Sequence, residues 1–176
     1  MKNVSMTKRL CRAGIIAALY VAFTYAFMPF AFGPFQIRPA EALCILPLFY
    51  IEAIPALWVG CMLSNLGSPY FVYDVIFGSL ATLFAAFITY MVGTIFKKDS
   101  LKLAIGGIFP VLFNSLVIPF IIVFLYDGEG SATWTLYWTV VLSIGLTEAV
   151  WVYGLGVPLY ISNKRLRKKS IRFLVD

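Results

Sequence analysis

Residues 103–126 read LAIGGIFPVLFNSLVIPFIIVFLY, without one Asp, Glu, Lys or Arg. A helix rises about 1.5 Å per residue and needs roughly 20 residues to cross about 30 Å of hydrocarbon, so this run is long enough to span a bilayer. Charge-free runs also cover residues 13–37, 53–73, 75–96, 131–147 and 149–163. The apolar–polar alternation of a transmembrane barrel is absent, which leaves helices as the spanning elements. Composition agrees: of 176 residues, 61% are hydrophobic, 17% aromatic and 12% charged, against roughly 25% charged in a soluble domain. Fourteen basic and eight acidic side chains cannot cover a globular surface of this length, and the excess apolar residues take lipid as their solvent. The chain reads as an all-α, polytopic membrane protein.

The basic residues orient it. Lys2, Lys8, Arg9 and Arg12 precede the first apolar run, Lys97, Lys98 and Lys102 form a second group, and six more lie between residues 164 and 172. Short cytoplasmic loops retain such charges, so both termini and the 97–102 loop are placed inside. The acidic turn at 127–131 carries no positive charge and fits outside. Even numbers of spans must then flank the 97–102 loop. Proline and glycine breaks give six helices over residues 10–30, 39–50, 53–66, 73–96, 103–125 and 135–162. The second and third are short, with a tight inner turn at 50–55; a single re-entrant pair is the competing reading. The first helix is too long for a secretory signal core and is read as retained. Residues 1–176 form one membrane domain, whose basic tail at 164–176 anchors on anionic lipid rather than nucleic acid.

Several functions are set aside by what the sequence lacks. There is no G-x-x-x-x-G-K-[ST] loop, so the chain does not energise itself with ATP. Histidine is absent, as are G-x-S-x-G and H-E-x-x-H, which makes an enzyme the weaker hypothesis, although a carboxylate-based one stays open. Cys11, Cys44 and Cys61 have no paired spacing and read as small packing residues; no metal site or cofactor is expected.

Polar residues at membrane depth cost a few kcal/mol each and call for a partner or a ligand. The candidates are Arg38, Glu41, Asp74 and Glu148, with Asn65 and Asn114. In the six-helix arrangement Arg38 and Glu41 open helix 2 at the outer surface, Asn65 and Asp74 lie at the same level, and Asn114 and Glu148 lie near the middle of helices 5 and 6. Together they line a cavity open to the outside that suits a polar solute. Structural alternatives exist for most of them. Arg38 and Glu41 can pair across one turn, Asp74 can cap a helix start, and the two asparagines can be interhelical hydrogen-bond glue. Glu148 has no basic residue within reach on its own helix and favours function. Glu52, at the inner turn, is expected to be solvated. Trp138 and Trp151 flank Glu148 on one helix and are the candidates to stack on a flat ring; Trp134, Tyr70, Phe71 and Tyr73 read as interfacial residues. Helix 1 carries small residues four apart, Ala13 with Ala17, Gly14 with Ala18 and Ala18 with Ala22, which by spacing alone read as packing within the protein. Loops 32–37 and 66–73, with Gly33, Pro34, Gly67 and Pro69, are the candidate gates.

One stretch carries a family resemblance. Residues 32–47, FGPFQIRPAEALCILP, are similar to the G-P-x-Q-x-R-x-x-E-A-L-x-x-L-P run of the queuosine-precursor transporter family, with Pro39 standing where that family often has a small or branched residue. Gly60-Cys61 with Asn65, Asp74 with residues 78–83, the Asn114 region, and Gly145, Glu148 and Gly154 extend the resemblance over about residues 13–160. It implies a substrate-binding S component of an energy-coupling factor (ECF) transporter in a prokaryotic plasma membrane. Such a component has six helices and works with a transmembrane coupling protein and two ATPase subunits. It implies that Ala13 and Ala17 face the coupling protein, against the packing reading. The implied ligand is 7-aminomethyl-7-deazaguanine, with Glu148 on the guanine-like edge, Asp74 or Glu41 on the ammonium, and Arg38 locking Glu41 or donating to the ring carbonyl. Another small heterocycle or vitamin, or a self-sufficient small-solute carrier, are the alternatives.

Overall fold

The computed structural model describes residues 5–32, 35–126 and 133–168, which are mostly helical with no strand among them. The acidic turn at 127–131, the Gly33–Pro34 corner and the tail beyond residue 168 lie outside the described residues. Among the described residues, four long apolar helices have the length and composition to cross a membrane: α1 (Met6–Ala26), α4 (Phe71–Ile95), α5 (Asp99–Leu125) and α6 (Trp134–Lys168). Two shorter apolar helices, α2 (Pro39–Leu48) and α3 (Ala53–Gly67), complete the set. Several helices run beyond their charge-free stretches: α1 starts at Met6, α5 at Asp99, and α6 continues to Lys168. Charged residues end a hydrophobic run but do not end a helix, because their long side chains reach water from the last turns.

The second helix differs most from expectation. Residues Pro39–Leu48 form a 3-10 helix in which every residue is buried. At about 2.0 Å per residue, ten residues reach about 20 Å, too short to cross the bilayer. The segment instead stands inside the bundle, touching α1, α3, α4, α5 and α6. Its composition suits this place: Ala40, Ala42, Leu43, Ile45, Leu46 and Leu48 are apolar on all sides. Pro39 supplies the fixed φ of a first helical position. The neighbours approach closely because they carry glycine. A Cβ on Gly93 of α4 would stand 2.8 Å from the Leu48 carbonyl oxygen, and one on Gly106 of α5 would stand 2.8 Å from Leu48 Cδ2.

Helix α1 packs on α3 through a second close contact, where a Cβ on Gly60 would meet the Ala17 carbonyl oxygen at 3.2 Å. Ala13 and Ala17 therefore pack inward, against the core around Ile16, Tyr20 and Leu57. The packing reading from spacing describes these two residues. Gly14, Ala18 and Ala22 face outward and are exposed.

The described basic segments meet at one end of the bundle. Arg12 pairs with Glu52 at 2.8 Å, and its guanidinium lies 4.6 Å above the Tyr50 ring. Tyr50 Oη donates to Asn163 Oδ1 at 2.9 Å, Arg167 covers the same ring, and Lys164 pairs with Asp99. Glu52 is thus not the solvated residue expected from its turn position; its side chain is 9% exposed and ion-paired. Around the bundle the usual inside–outside pattern is inverted, with Leu142 and Leu146 of α6 more than two-thirds exposed while Glu148 of the same helix is buried. A lipid-facing exterior with a polar interior accounts for that distribution.

Candidate functional site

A polar cluster occupies the interior where α1, α2, α5 and α6 meet and extends to α3 and the start of α4. Burial of a carboxylate is tolerated only with hydrogen-bond partners or opposite charge, and the cluster supplies both. Glu41, in the first turn of α2, is its centre. Tyr20 Oη of α1 donates to Glu41 Oε1. Arg38 Nε stands 3.7 Å from the same oxygen, and the Cys44 thiol donates to Oε2 at 3.1 Å. Asn114 Nδ2 of α5 donates to Glu41 Oε2 and to Glu148 Oε1, each at 3.2 Å. One amide thereby bridges two carboxylates from different helices. Arg38 Nη2 donates to Tyr20 Oη at 3.2 Å and to Asn65 Oδ1 at 3.3 Å. Asn65 Nδ2 in turn donates to the Asp74 carbonyl at 2.8 Å, and Ser68 Oγ donates to Asp74 Oδ2 at 2.5 Å.

All six polar candidates are at most 3% exposed. Their depth differs from expectation, because α2 is packed within the bundle instead of starting at its surface, and Glu41 shares a donor with mid-helix Glu148. The Arg38–Glu41 approach across one turn is present, and Asn65 does bridge helices, so both structural readings describe real contacts. Asp74 does not cap with its side chain: the carboxylate turns to Ser68, at the start of a π-helical stretch, Asp74–Gly78. Another such stretch, Val150–Leu155, begins two residues after Glu148. Pro158 lies just beyond, where its missing N–H interrupts the regular ladder. Wide turns of this kind re-aim side chains and recur at functional sites. Neither tryptophan is bonded to the cluster. Trp138 is more than half exposed, edge-on to Tyr137, and Trp151 is partly buried.

Sequence reasoning missed Tyr20, Cys44, Cys61 and Ser68. Cys61 accepts from Thr82 Oγ1 at 3.3 Å, so two of the cysteines belong to the polar network rather than to apolar packing alone. No spacing marks Tyr20; an aromatic hydroxyl is unremarkable in a membrane helix until its neighbours are known.

Three carboxylates share this interior with one guanidinium, and the bonding is incomplete. Glu148 Oε2, Asp74 Oδ1, Arg38 Nε and both polar atoms of the Gln36 amide are buried without a hydrogen-bond partner. Each such orphan costs about 1–3 kcal/mol. Gln36 also has φ of +43°, a left-handed conformation costing on the order of 1–3 kcal/mol outside glycine. The unfilled acceptors outnumber the unfilled donors, so the site suits a solute rich in N–H groups. Among the described residues no group of His, Cys, Asp or Glu is arranged to hold a metal ion.

No curated protein and no solved structure matches the chain. A family model described as QueT transporter matches residues 10–165, a stretch containing every residue of the cluster and all of α2 to α5. A bundle of lipid-facing helices around a buried, incompletely bonded polar centre is what a membrane transporter component requires, and the chain belongs to the QueT transporter family.

Proposed function

We propose that the chain is the substrate-binding S component of an ECF transporter. In this reading it captures 7-aminomethyl-7-deazaguanine from outside, and a coupling protein and two ATPase subunits drive uptake. The observation that carries the reading is the Glu41–Asn114–Glu148 bridge with unfilled acceptors beside a single guanidinium. A guanine-like edge presents adjacent ring N–H and amino donors, which a carboxylate accepts in pairs. Glu148, with Oε2 unfilled, takes that edge. The aminomethyl group is a cation at neutral pH and takes Asp74, whose Oδ1 is unfilled, or Glu41. Arg38 donates to the ring carbonyl through Nε, and Trp151 is the candidate stacking face.

In this reading α2 and α3 complete six helices, and the end bearing Arg12, Lys164 and Arg167 faces the cytoplasm. Since Ala13 and Ala17 pack on α3, the outward small residues Gly14, Ala18 and Ala22 form the face offered to the coupling protein. The test is calorimetric titration of the purified protein with the aminomethyl base. Saturable binding that weakens about tenfold or more in Glu148→Gln supports the reading, because a neutral amide cannot accept two donors. Unchanged affinity in that variant removes Glu148 from the site.

A further inference from the structure

Gln36 combines three features that rarely coincide in one residue. Its side chain is 1% exposed, both polar atoms of its amide lack partners, and its backbone is left-handed without being glycine. An exposed glutamine would satisfy its amide with water, and a glycine would relieve the backbone. Neither remedy is taken. The residue stands two positions before Arg38, whose guanidinium enters the cluster, and the next residue is pinned to the short helical turn Met28–Ala31 that follows α1, Ile37 N–H donating to the Phe30 carbonyl at 2.8 Å. The Phe32 ring lies 5.8 Å from the same guanidinium. The segment carrying Gln36 is therefore fastened beside the cluster, with one free donor and one free acceptor side by side.

We propose that Gln36 is a specificity-determining residue that reads the N3/N9–H edge of the bound base and so selects free bases over N9-substituted ones such as nucleosides. This rests on the function proposed above, in which Glu148 occupies the N1–H and 2-amino donors. With those taken, one ring edge of a deazaguanine still offers an acceptor beside a donor, namely N3 and N9–H. A primary amide matches that pair: Nε2–H donates to N3, and Oε1 accepts from N9–H. A substituent on N9 removes the donor and fills the space the amide needs. A site that hydrogen-bonds a ligand donor discriminates strongly against analogues lacking it, because its own buried groups are then left unpaired.

The experiment titrates the purified full chain with 7-aminomethyl-7-deazaguanine and with its 9-methyl derivative, in the wild type, Gln36→Ala and Gln36→Gly. The glycine variant tolerates the left-handed backbone and guards against misfolding, with a thermal unfolding midpoint at or above that of the wild type. The wild type is expected to prefer the free base by about tenfold or more. Both variants are expected to weaken free-base binding by about tenfold, as for two lost neutral hydrogen bonds, and to leave 9-methyl binding unchanged or tighter, so that the preference collapses. A preference that persists in both variants, or equal binding of the two compounds by the wild type, overturns the role of Gln36 while leaving the transported base in place. Failure of the wild type to bind either compound overturns the function proposal and this inference with it.

Discussion

Replacing Asn114 by leucine, a side chain of similar size, removes both donations of the bridging amide at once. The two carboxylates do not suffer equally. Glu41 keeps Tyr20 Oη and the Cys44 thiol as donors, with the Arg38 guanidinium alongside. Glu148 has its hydrogen bond from Asn114, its other oxygen being unpartnered, so it becomes an unbonded buried carboxylate. One hydrogen bond to a charged group is worth about 1.5–3 kcal/mol, and the loss at Glu41 adds little. The expected destabilisation is about 2–3 kcal/mol, or a fall in Tm of about 5–10 °C by the usual scaling for a chain of this size. A double-mutant cycle separates this cause from simple repacking. Removing both partners by apolar groups is nearly neutral, so Asn114→Leu with Glu148→Leu should recover most of the loss, giving a coupling of about 1.5 kcal/mol or more. The assay is thermal unfolding of the detergent-purified protein without ligand. A Tm of Asn114→Leu within about 1 °C of the wild type, or strictly additive single and double variants, would refute the bridging role.

Gly93→Ala should lower Tm markedly, because the added Cβ stands 2.8 Å from the Leu48 carbonyl oxygen and backbone on both sides must move. Gly14→Ala, with nothing within 4 Å, should leave unfolding unchanged or raise Tm slightly through helix propensity; similar losses in both variants would contradict the packing described. Arg12→Ala leaves the Glu52 carboxylate without its ion-pair partner at the basic end and should cost about 3–5 kcal/mol, whereas Arg12→Met with Glu52→Leu should be much milder. Denaturation of the two variants side by side checks this, and equal losses would count against a buried pair.

The long helices were readable because lipid imposes one simple demand, about 20 residues without charge, and residues 103–126 meet it visibly. Their ends were not, since Asp99 and Lys164 are charged yet helical and tie to each other across the end of the bundle. The 3-10 form and central place of α2 were illegible as well. A ten-residue apolar run is equally suited to half a span or to an enclosed strut, and only the approach of Gly93 and Gly106 to Leu48 distinguishes them. In the candidate site, Glu41, Asn114 and Glu148 could be expected to converge because each is costly alone in lipid. Tyr20 could not, because a phenol is cheap in the interior and at the interface alike. The face of helix 1 was ambiguous for a related reason. Two small-residue stripes lie side by side on it, and which one turns inward depends on Gly60, a residue some forty positions away in sequence.

The enclosed strut also constrains how the molecule is made. Its wrapping includes α6, which leaves the ribosome well after it, so the segment bearing Arg38 and Glu41 has no permanent home until that helix has been made. Until then it must be sheltered by the translocon, or wait at the lipid headgroups as half of a hairpin with α3. Biogenesis therefore includes an insertion event inside the membrane, and chains truncated before α6 are expected to become substrates for quality-control proteolysis rather than partial transporters.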